Sequence, residues 1–270
     1  MRGLFVFVTL ALAAMLVPAA PPVVVAQAPA PGDAHDTPDA PDTADTVEAA
    51  GLVIDGSTLD AVTALLPEAI RGRARSSPEG FVAGMVGLLE ADPAYTVLVD
   101  KEHALAADYE PEDLVPLTNY EGDLELNPRT RDSLSLTRET IDALLEMDAA
   151  ADAAGLTLLV SSTYRSYEYQ ENLFAYWVDQ MGLEEASRIS ARAGTSQHQL
   201  GTTVDFGCVC PEFADTPEGR WLAENAHRFG FSLSYPDGYE SLTGYSYESW
   251  HFRYLGTELA IFEREYFGGL

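Results

Sequence analysis

Two short stretches concentrate the residues of this chain that could do chemistry: Ser196-Gln-His198-Gln-Leu-Gly201-Thr-Thr-Val-Asp205 and Glu248-Ser-Trp-His251-Phe-Arg253-Tyr254. Two imidazoles and one carboxylate are a donor set that suits Zn²⁺, which in catalytic sites takes three protein ligands and keeps a further position for water. Such a site leaves the ion enough positive charge to acidify that water and to polarise a carbonyl. A carboxylate outside the ligand set must then take the water's proton and pass it to a leaving group. Glu248, three positions before His251, is spaced to share a cavity with it, and Gly201 permits close backbone approach. Spacing alone leaves open that the two histidines are unrelated.

With further segments, the two stretches resemble the VanY-type D-alanyl-D-alanine carboxypeptidases, zinc peptidases of the LAS type (peptidase family M15B) that trim bacterial cell-wall stem peptides. Their patterns are S-x-H-x-x-G-x-x-x-D and E-x-W-H-x-R-Y. The likeness also takes in Leu98-Val-Asp-Lys101, Asp108 to Leu114, Ser162-Thr-Tyr-Arg165-Ser-Tyr-Glu-Tyr-Gln170, Trp221 to Phe231, Tyr235-Pro236 and Thr243-Gly-Tyr, and spans about Tyr95 to Leu259.

The resemblance implies that His198, Asp205 and His251 hold Zn²⁺, that Glu248 is the general base, and that Arg165 steadies negative charge on the scissile carbonyl oxygen. A fixed guanidinium aimed at a nascent oxyanion is worth several kcal/mol of barrier, on the order of 3. Ser196 and Gln170 match positions near the substrate's terminus. Family members commonly carry Gly at Thr163, Pro at Ala193, Glu at Gln197 and Ala at Thr203. None of these departures removes a ligand, but Gln197 and Thr203 sit beside ligands and bear on substrate preference.

The elements that must position these residues follow from hydrophobic spacing and cap chemistry. Tyr95 to Val99 reads as a strand, and Thr137 as the N-cap of a helix to about Ala154 with Ile141, Leu144 and Leu145 as its apolar stripe, stopped by Gly155. Leu156 to Ser162 reads as a buried strand delivering Arg165. Tyr167 to Met181 reads as a helix with Leu173, Phe174, Trp177 and Val178 inward and Gly182 at its end. Leu183 to Arg192 is predicted helical. Thr216-Pro217 opens a helix as N-cap and first-turn proline, with Trp221, Leu222, Asn225 and Phe229 inward. Strands are predicted over Phe231–Tyr235 and Ser249–Tyr254, and a last helix over Thr257–Phe267. The irregular alternation predicts an α+β domain: a small antiparallel sheet flanked by helices, with the zinc site in a cleft at the sheet.

Outside this domain, Arg2, an apolar run from Leu4 to Val17 and small residues ending at Ala26 have the order of a secretory signal peptide. The run is short for a membrane span and is followed by Pro18, Pro21 and Pro22, so no integral membrane span is expected in the mature chain. Residues 27–50, rich in Ala, Pro, Asp and Thr, read as a disordered linker; His35 within it is incidental. Residues 51–94 read as a helical extension, with Ser57 and Ser77-Pro78 as start signals and Leu59, Val62, Leu65, Leu66, Phe81, Met85, Leu88 and Leu89 as apolar spacing. It suits either a cap on the catalytic domain or a contact module. Residues 95–270 are expected to form the zinc carboxypeptidase domain that the resemblance implies.

A net charge of −28 argues against nucleic acid as a partner, since phosphates would repel the chain. Cys208 and Cys210 are the two cysteines of the chain. In a strand their Cα atoms would stand about 6.5 Å apart, near the outer limit for a disulfide, so a bridge and free thiols are equally open, with one cysteine as an extra metal ligand a third and weaker reading. His103 and His227 lack companions at metal spacing.

The expected activity is removal of a C-terminal D-alanine from peptidoglycan stem peptides by a secreted, periplasmic or envelope enzyme. The same scaffold also suits an L,D-carboxypeptidase, a D,D-dipeptidase, an endopeptidase or a non-catalytic peptide-binding module. Oligomeric state is left open.

Overall fold

The computed structural model describes residues 46–268. The predicted signal segment and most of the predicted linker, His35 included, lie outside them. The chain divides into two compact units, meeting at Ala83/Gly84.

The first unit begins earlier than the predicted extension. Thr46–Ala49 (β1) pairs antiparallel with Leu52–Asp55 (β2), so the linker expected to reach residue 50 ends in a strand. Ala50 and Gly51 both take positive φ, 51° and 77°, to make the two-residue turn. Two helices follow, Gly56–Thr63 (α1) and Glu68–Ser76 (α2), and then Pro78–Glu90 (α3), within which the boundary falls. Asp55 caps α1, not Ser57, because its carboxylate accepts from Thr58 N at 2.9 Å. Leu59, Leu66, Ile70, Phe81 and Val82 are buried. Leu65, expected inward, is 62% exposed because the chain has already left α1 at Ala64.

In the second unit the predicted strand at Tyr95–Val99 is instead a helical turn, Pro93–Thr96 (α4). Asp92 accepts from Ala94 N at 2.8 Å and Pro93 stands at the first helical position, so cap chemistry outweighs the strand-like side chains. Leu114–Pro116 (β3) pairs antiparallel with Ser135–Thr137 (β5). The main sheet has five strands, ordered Glu125–Leu126 (β4), Leu159–Ser162 (β6), Thr203–Phe206 (β7), His251–Tyr254 (β9) and Phe231–Leu233 (β8). It is antiparallel except for the β4–β6 pair, which runs parallel. All four residues of β7 and of β9 are buried.

Strand periodicity sorts those buried residues. Val204, Phe206, Phe252 and Tyr254 join one hydrophobic core with Ile141, Leu144 and Met147 of the helix Arg138–Ala153 (α5). Alternate positions, Thr203, Asp205, His251 and Arg253, fall on the opposite face, and the β7–β9 register places Thr203 beside Arg253 and Asp205 beside His251. Truncating a phenylalanine of such a core costs about 3–5 kcal/mol, so the polar face rides on a stiff support.

Helices Tyr167–Met181 (α6) and Leu183–Ile189 (α7) follow β6. Ser166 caps α6 by accepting from Tyr169 N. The predicted inward residues of α6 are only half-buried, and Phe174 lies under the Arg192 guanidinium at 4.9 Å. Thr216 caps Pro217–Asn225 (α8), its hydroxyl accepting from Gly219 N. After Glu240–Thr243 (α9), the chain ends in Thr257–Phe262 (α10), continued by a π-helical turn over Glu263–Phe267. Among the described residues no helix is long and apolar enough to cross a membrane.

Cys208 and Cys210 form a disulfide with Cα atoms 5.2 Å apart. They lie past the end of β7, where Gly207 turns at φ 64°, so the strand spacing that set them further apart does not apply.

Candidate metal centre

His198 stands on a helical turn, Gln197–Leu200, that opens at Ser196 and closes at Gly201. The Ser196 hydroxyl accepts from His198 N at 3.3 Å. Gly201 has φ 69°, and a Cβ there would come within 2.8 Å of Leu114 Cδ2, so both conformation and space call for glycine. The turn is stitched outward by the buried Gln199, whose amide donates to the carbonyls of Ala106 and Tyr109 at 3.0 and 3.1 Å. Nothing in the spacing of the sequence singled Gln199 out. Its signal is an uncharged polar side chain between ligand and glycine, where core packing would favour an apolar one.

From the turn, the chain enters β7 and delivers Asp205 opposite His251 of β9. Ligand-type atoms of His198, Asp205 and His251 all lie within 4.8 Å of one another, and the three side chains are buried. His198 Nε2 is 3.3 Å from Asp205 Oδ2, and His251 Nδ1 is 3.1 Å from Asp205 Oδ1. These approaches are close but poorly aligned: His198 Nε2 and Asp205 Oδ1 are buried with no hydrogen-bond partner. Orphaned donors and acceptors are costly inside a protein, and lone pairs converging on a common point are what a cation would satisfy.

The far side of each imidazole is anchored. His198 Nδ1 lies 2.6 Å from the Thr163 carbonyl. Because a carbonyl can only accept, Nδ1 carries the proton and Nε2 turns its lone pair toward Asp205. His251 Nε2 lies 3.1 Å from Gln197 Oε1, which also accepts from the Ser234 hydroxyl at 2.7 Å. The two rings meet edge to face at 4.9 Å, and Tyr235 packs on His251 at 4.7 Å.

Electrostatics separate the carboxylates. Burial alone would raise the Asp205 carboxyl, but His198 and His251 beside it hold it well below the usual carboxylate range. Burial, reinforced by the Arg165 charge, pushes His198 down to about 4, so it is neutral at neutral pH and able to ligate. Glu248 Oε2 sits 3.5 Å from His251 Nδ1. Burial, and then the Asp205 charge, push Glu248 up to about 8 against the pull of Arg165. Two carboxylates whose proton affinities are driven apart fit two different roles.

Arg165 follows β6, its backbone N–H donating to the His198 carbonyl at 3.2 Å, while its Nε is buried without a partner. Gln170, in the first turn of α6, donates to the Ala191 carbonyl at 2.7 Å and keeps a buried, unpartnered Oε1. The structure thus brings His198, Asp205, His251 and Glu248 together, with Ser196 capping the turn that carries His198 and the Arg165 backbone bonded to that turn. Thr163 spends its hydroxyl on Ser135 N at 2.9 Å. Lys101 donates to the carbonyls of Ser187 and Gly244 and lies 4.4 Å over the Tyr245 ring. His103 pairs instead with Asp100 at 2.8 Å. Among the described residues, neither His103 nor His227 joins a metal-type cluster.

A family model described as VanY, D-alanyl-D-alanine carboxypeptidase, matches residues 133–257. The chain is 35% identical over 170 residues to a putative carboxypeptidase, YodJ, of Bacillus subtilis (strain 168), a match over 60% of each chain. It therefore spans less than two thirds of that relative's length. Among solved structures, the LdcB LD-carboxypeptidase is similar with TM-score 0.57 and 33% identity, over 66% of this chain and 88% of the other. A zinc(II) complex of a VanY D,D-pentapeptidase variant from a VanB-type vancomycin-resistance cassette is similar with TM-score 0.52 and 30% identity, over 65% of this chain and 95% of the other.

Proposed function

This chain belongs to the family of VanY-type D-alanyl-D-alanine carboxypeptidases, and from that premise we propose that it is a zinc-dependent carboxypeptidase removing a C-terminal D-alanine from peptidoglycan stem peptides. The observation that carries this reading is the buried convergence of His198, Asp205 and His251, with orphaned ligand atoms and with Glu248 alongside.

In this reading His198 Nε2, a carboxylate oxygen of Asp205 and His251 Nδ1 hold Zn²⁺. When bound, zinc supplies Lewis acidity, acidifying water and polarising the scissile carbonyl. Glu248 takes the proton of the attacking water as the new C–O bond forms, and returns it to the departing amine as the C–N bond breaks. Arg165, with an unspent buried Nε, holds the charge that develops on the carbonyl oxygen. Ser196 and Gln170 line the cleft at the substrate's terminus. The Gln170 Oε1 left free is an acceptor, which suits a peptide N–H of the substrate better than its carboxylate.

Export to the cell envelope belongs to the same proposal and rests on the amino-terminal pattern of Arg2, Leu4–Val17 and Ala26. The likeness to an LD-carboxypeptidase favours one second reading, cleavage of a tetrapeptide. Mass spectrometry of purified pentapeptide and tetrapeptide, incubated with zinc-loaded and chelated protein, tests both readings. Chelator-sensitive loss of one alanine from the pentapeptide alone is the expected outcome. Loss from the tetrapeptide moves the specificity to L,D, and no loss from either peptide overturns the assignment.

A further inference from the structure

The two imidazoles of the triad are anchored by different means. His198 leans on a main-chain carbonyl, which no side-chain change can remove. His251 leans on the side chain of Gln197, a residue from the other ligand stretch, 54 positions away. Resting on the zinc reading above, we infer that Gln197 is a positioning residue for the metal centre: through Ser234, Gln197 Oε1 and His251 Nε2 it fixes His251 in the tautomer that offers Nδ1 as a ligand.

The argument is one of donor and acceptor counting. Gln197 Oε1 is an acceptor, so His251 Nε2 must supply the hydrogen, and Nδ1 is left with a lone pair facing Asp205 at 3.1 Å. A reversed amide would present N–H groups to His251 Nε2 and drive the proton onto Nδ1, which could then no longer ligate. In the observed rotamer the Ser234 hydroxyl donates to the same oxygen at 2.7 Å, so Oε1 faces two donors, Ser234 Oγ and His251 Nε2. The main chain of Gln197 is pinned as well, since the Thr203 hydroxyl donates to its carbonyl at 3.2 Å. Gln197 and Thr203, which both depart from the family's usual residues, are therefore bonded to each other, and their link runs between the two ligands His198 and Asp205.

An amide in this place orients the ring without adding charge. A carboxylate would do the same and also make the imidazole a stronger donor to the metal. The choice of Gln over Glu therefore leaves the centre less negative, so that an ion held there would be more electrophilic.

The test is zinc affinity, measured by competition with a chromophoric chelator for wild type, Gln197→Leu, Gln197→Glu and Ser234→Ala. Metal-free samples are checked by circular dichroism and thermal melting. Outer partners of metal-bound histidines are worth about 10–100-fold in affinity. Gln197→Leu is expected to lose that much, Ser234→Ala several-fold, and Gln197→Glu to bind zinc at least as tightly as wild type. In the metal-free protein, two-bond ¹H–¹⁵N correlation spectra are expected to find His251 protonated at Nε2, and to find that preference weakened in Gln197→Leu.

A Gln197→Leu protein that folds and binds zinc within twofold of wild type overturns the inference. So does a Gln197→Glu protein that binds no better than Gln197→Leu. If Gln197→Leu does not fold, an unchanged affinity in Ser234→Ala overturns it instead. Wild type that binds no zinc defeats the zinc reading itself, whereas wild-type binding with indifferent variants defeats only the role of Gln197.

Discussion

In the segment Thr46–Ala83, charged side chains close onto their own neighbourhood. The Asp55 carboxylate accepts from Ser57, from Thr58 N at 2.9 Å and from Thr58 Oγ1 at 2.7 Å. Arg71 reaches back to the carbonyls of Thr63, Ala64 and Leu66 at 2.9–3.2 Å, covering the end of α1 and the loop that leaves it, where acceptors have no partner within the helix. The polar face of β7 and β9 does the reverse. There Asp205, His198 and Arg165 keep buried atoms without hydrogen-bond partners, and Glu248 is held where burial and a like charge oppose its ionisation. Groups in the first region lower the free energy of the fold, and those in the second raise it. That contrast is expected where a rigid core holds reactive groups ready for something else to satisfy them.

Replacing the group assigned to proton transfer breaks the contrast most directly. Glu248→Gln keeps the shape of the side chain and removes its ability to take a proton. Turnover of the pentapeptide is expected to fall by about 10²–10⁴-fold, the usual scale of general base catalysis. Zinc content, measured by atomic emission, is expected to stay at the wild-type level, since Glu248 is outside the proposed ligand set. Full turnover in this variant would remove Glu248 from the mechanism.

The same contrast explains what could be read in advance. The helices that start after Thr137, Ser166 and Thr216 were legible within a residue or two, but only Ser166 and Thr216 cap through their hydroxyls; Thr137 stands at the cap position and bonds the Thr140 hydroxyl instead. Local chemistry also explains a miss, since Asp92-Pro93 made a helical turn where aromatic and β-branched residues suggested a strand. The ligand set was legible because its residue types are rare together and because further family motifs surround it. The supports were not. Gln197 meets His251 and Ser234 only after β7, β8 and β9 have paired, and Gln199 meets Ala106 and Tyr109 across 90 residues or more. A glutamine in a sequence carries no mark of which distant acceptor or donor it will meet. The parallel pairing of the two-residue strand β4 was likewise invisible, because pairing of so short a segment is set by its neighbours.

Asp148 extends the contrast into the core beneath the site. It is 6% exposed on α5, and burial, with Asp152 adding to it, pushes its carboxyl up to about 6. A raised carboxyl pKa means the unfolded chain releases the proton first. Stability therefore falls as pH rises from about 4 to about 6 and stays lower above that range. Asp148→Asn removes the penalty, so its midpoint in urea at pH 7 is expected to exceed that of wild type by up to about 3 kcal/mol in unfolding free energy. The two proteins are expected to converge at pH 4. A variant no more stable at pH 7 would mean that Asp148 gains from contacts its burial does not reveal.

Asp55 gives the smallest effect and the opposite sign. Its carboxylate is exposed, and the hydroxyl and amide donors of Ser57 and Thr58 hold it down at about 2. With the folded pKa depressed, its contribution is present at neutral pH and is lost as pH falls from about 4 toward 2. Asp55→Ala takes away the cap of α1, leaving early amide groups of the helix to water. Amide exchange confined to Gly56–Thr63 is expected to quicken at pH 7, with pentapeptide turnover unchanged. At pH 2 the exchange difference between Asp55→Ala and wild type is expected to shrink, because about half of the wild-type cap is then protonated. Equal protection of α1 in both proteins at pH 7 would show that packing of Leu59, and not the cap, holds this helix.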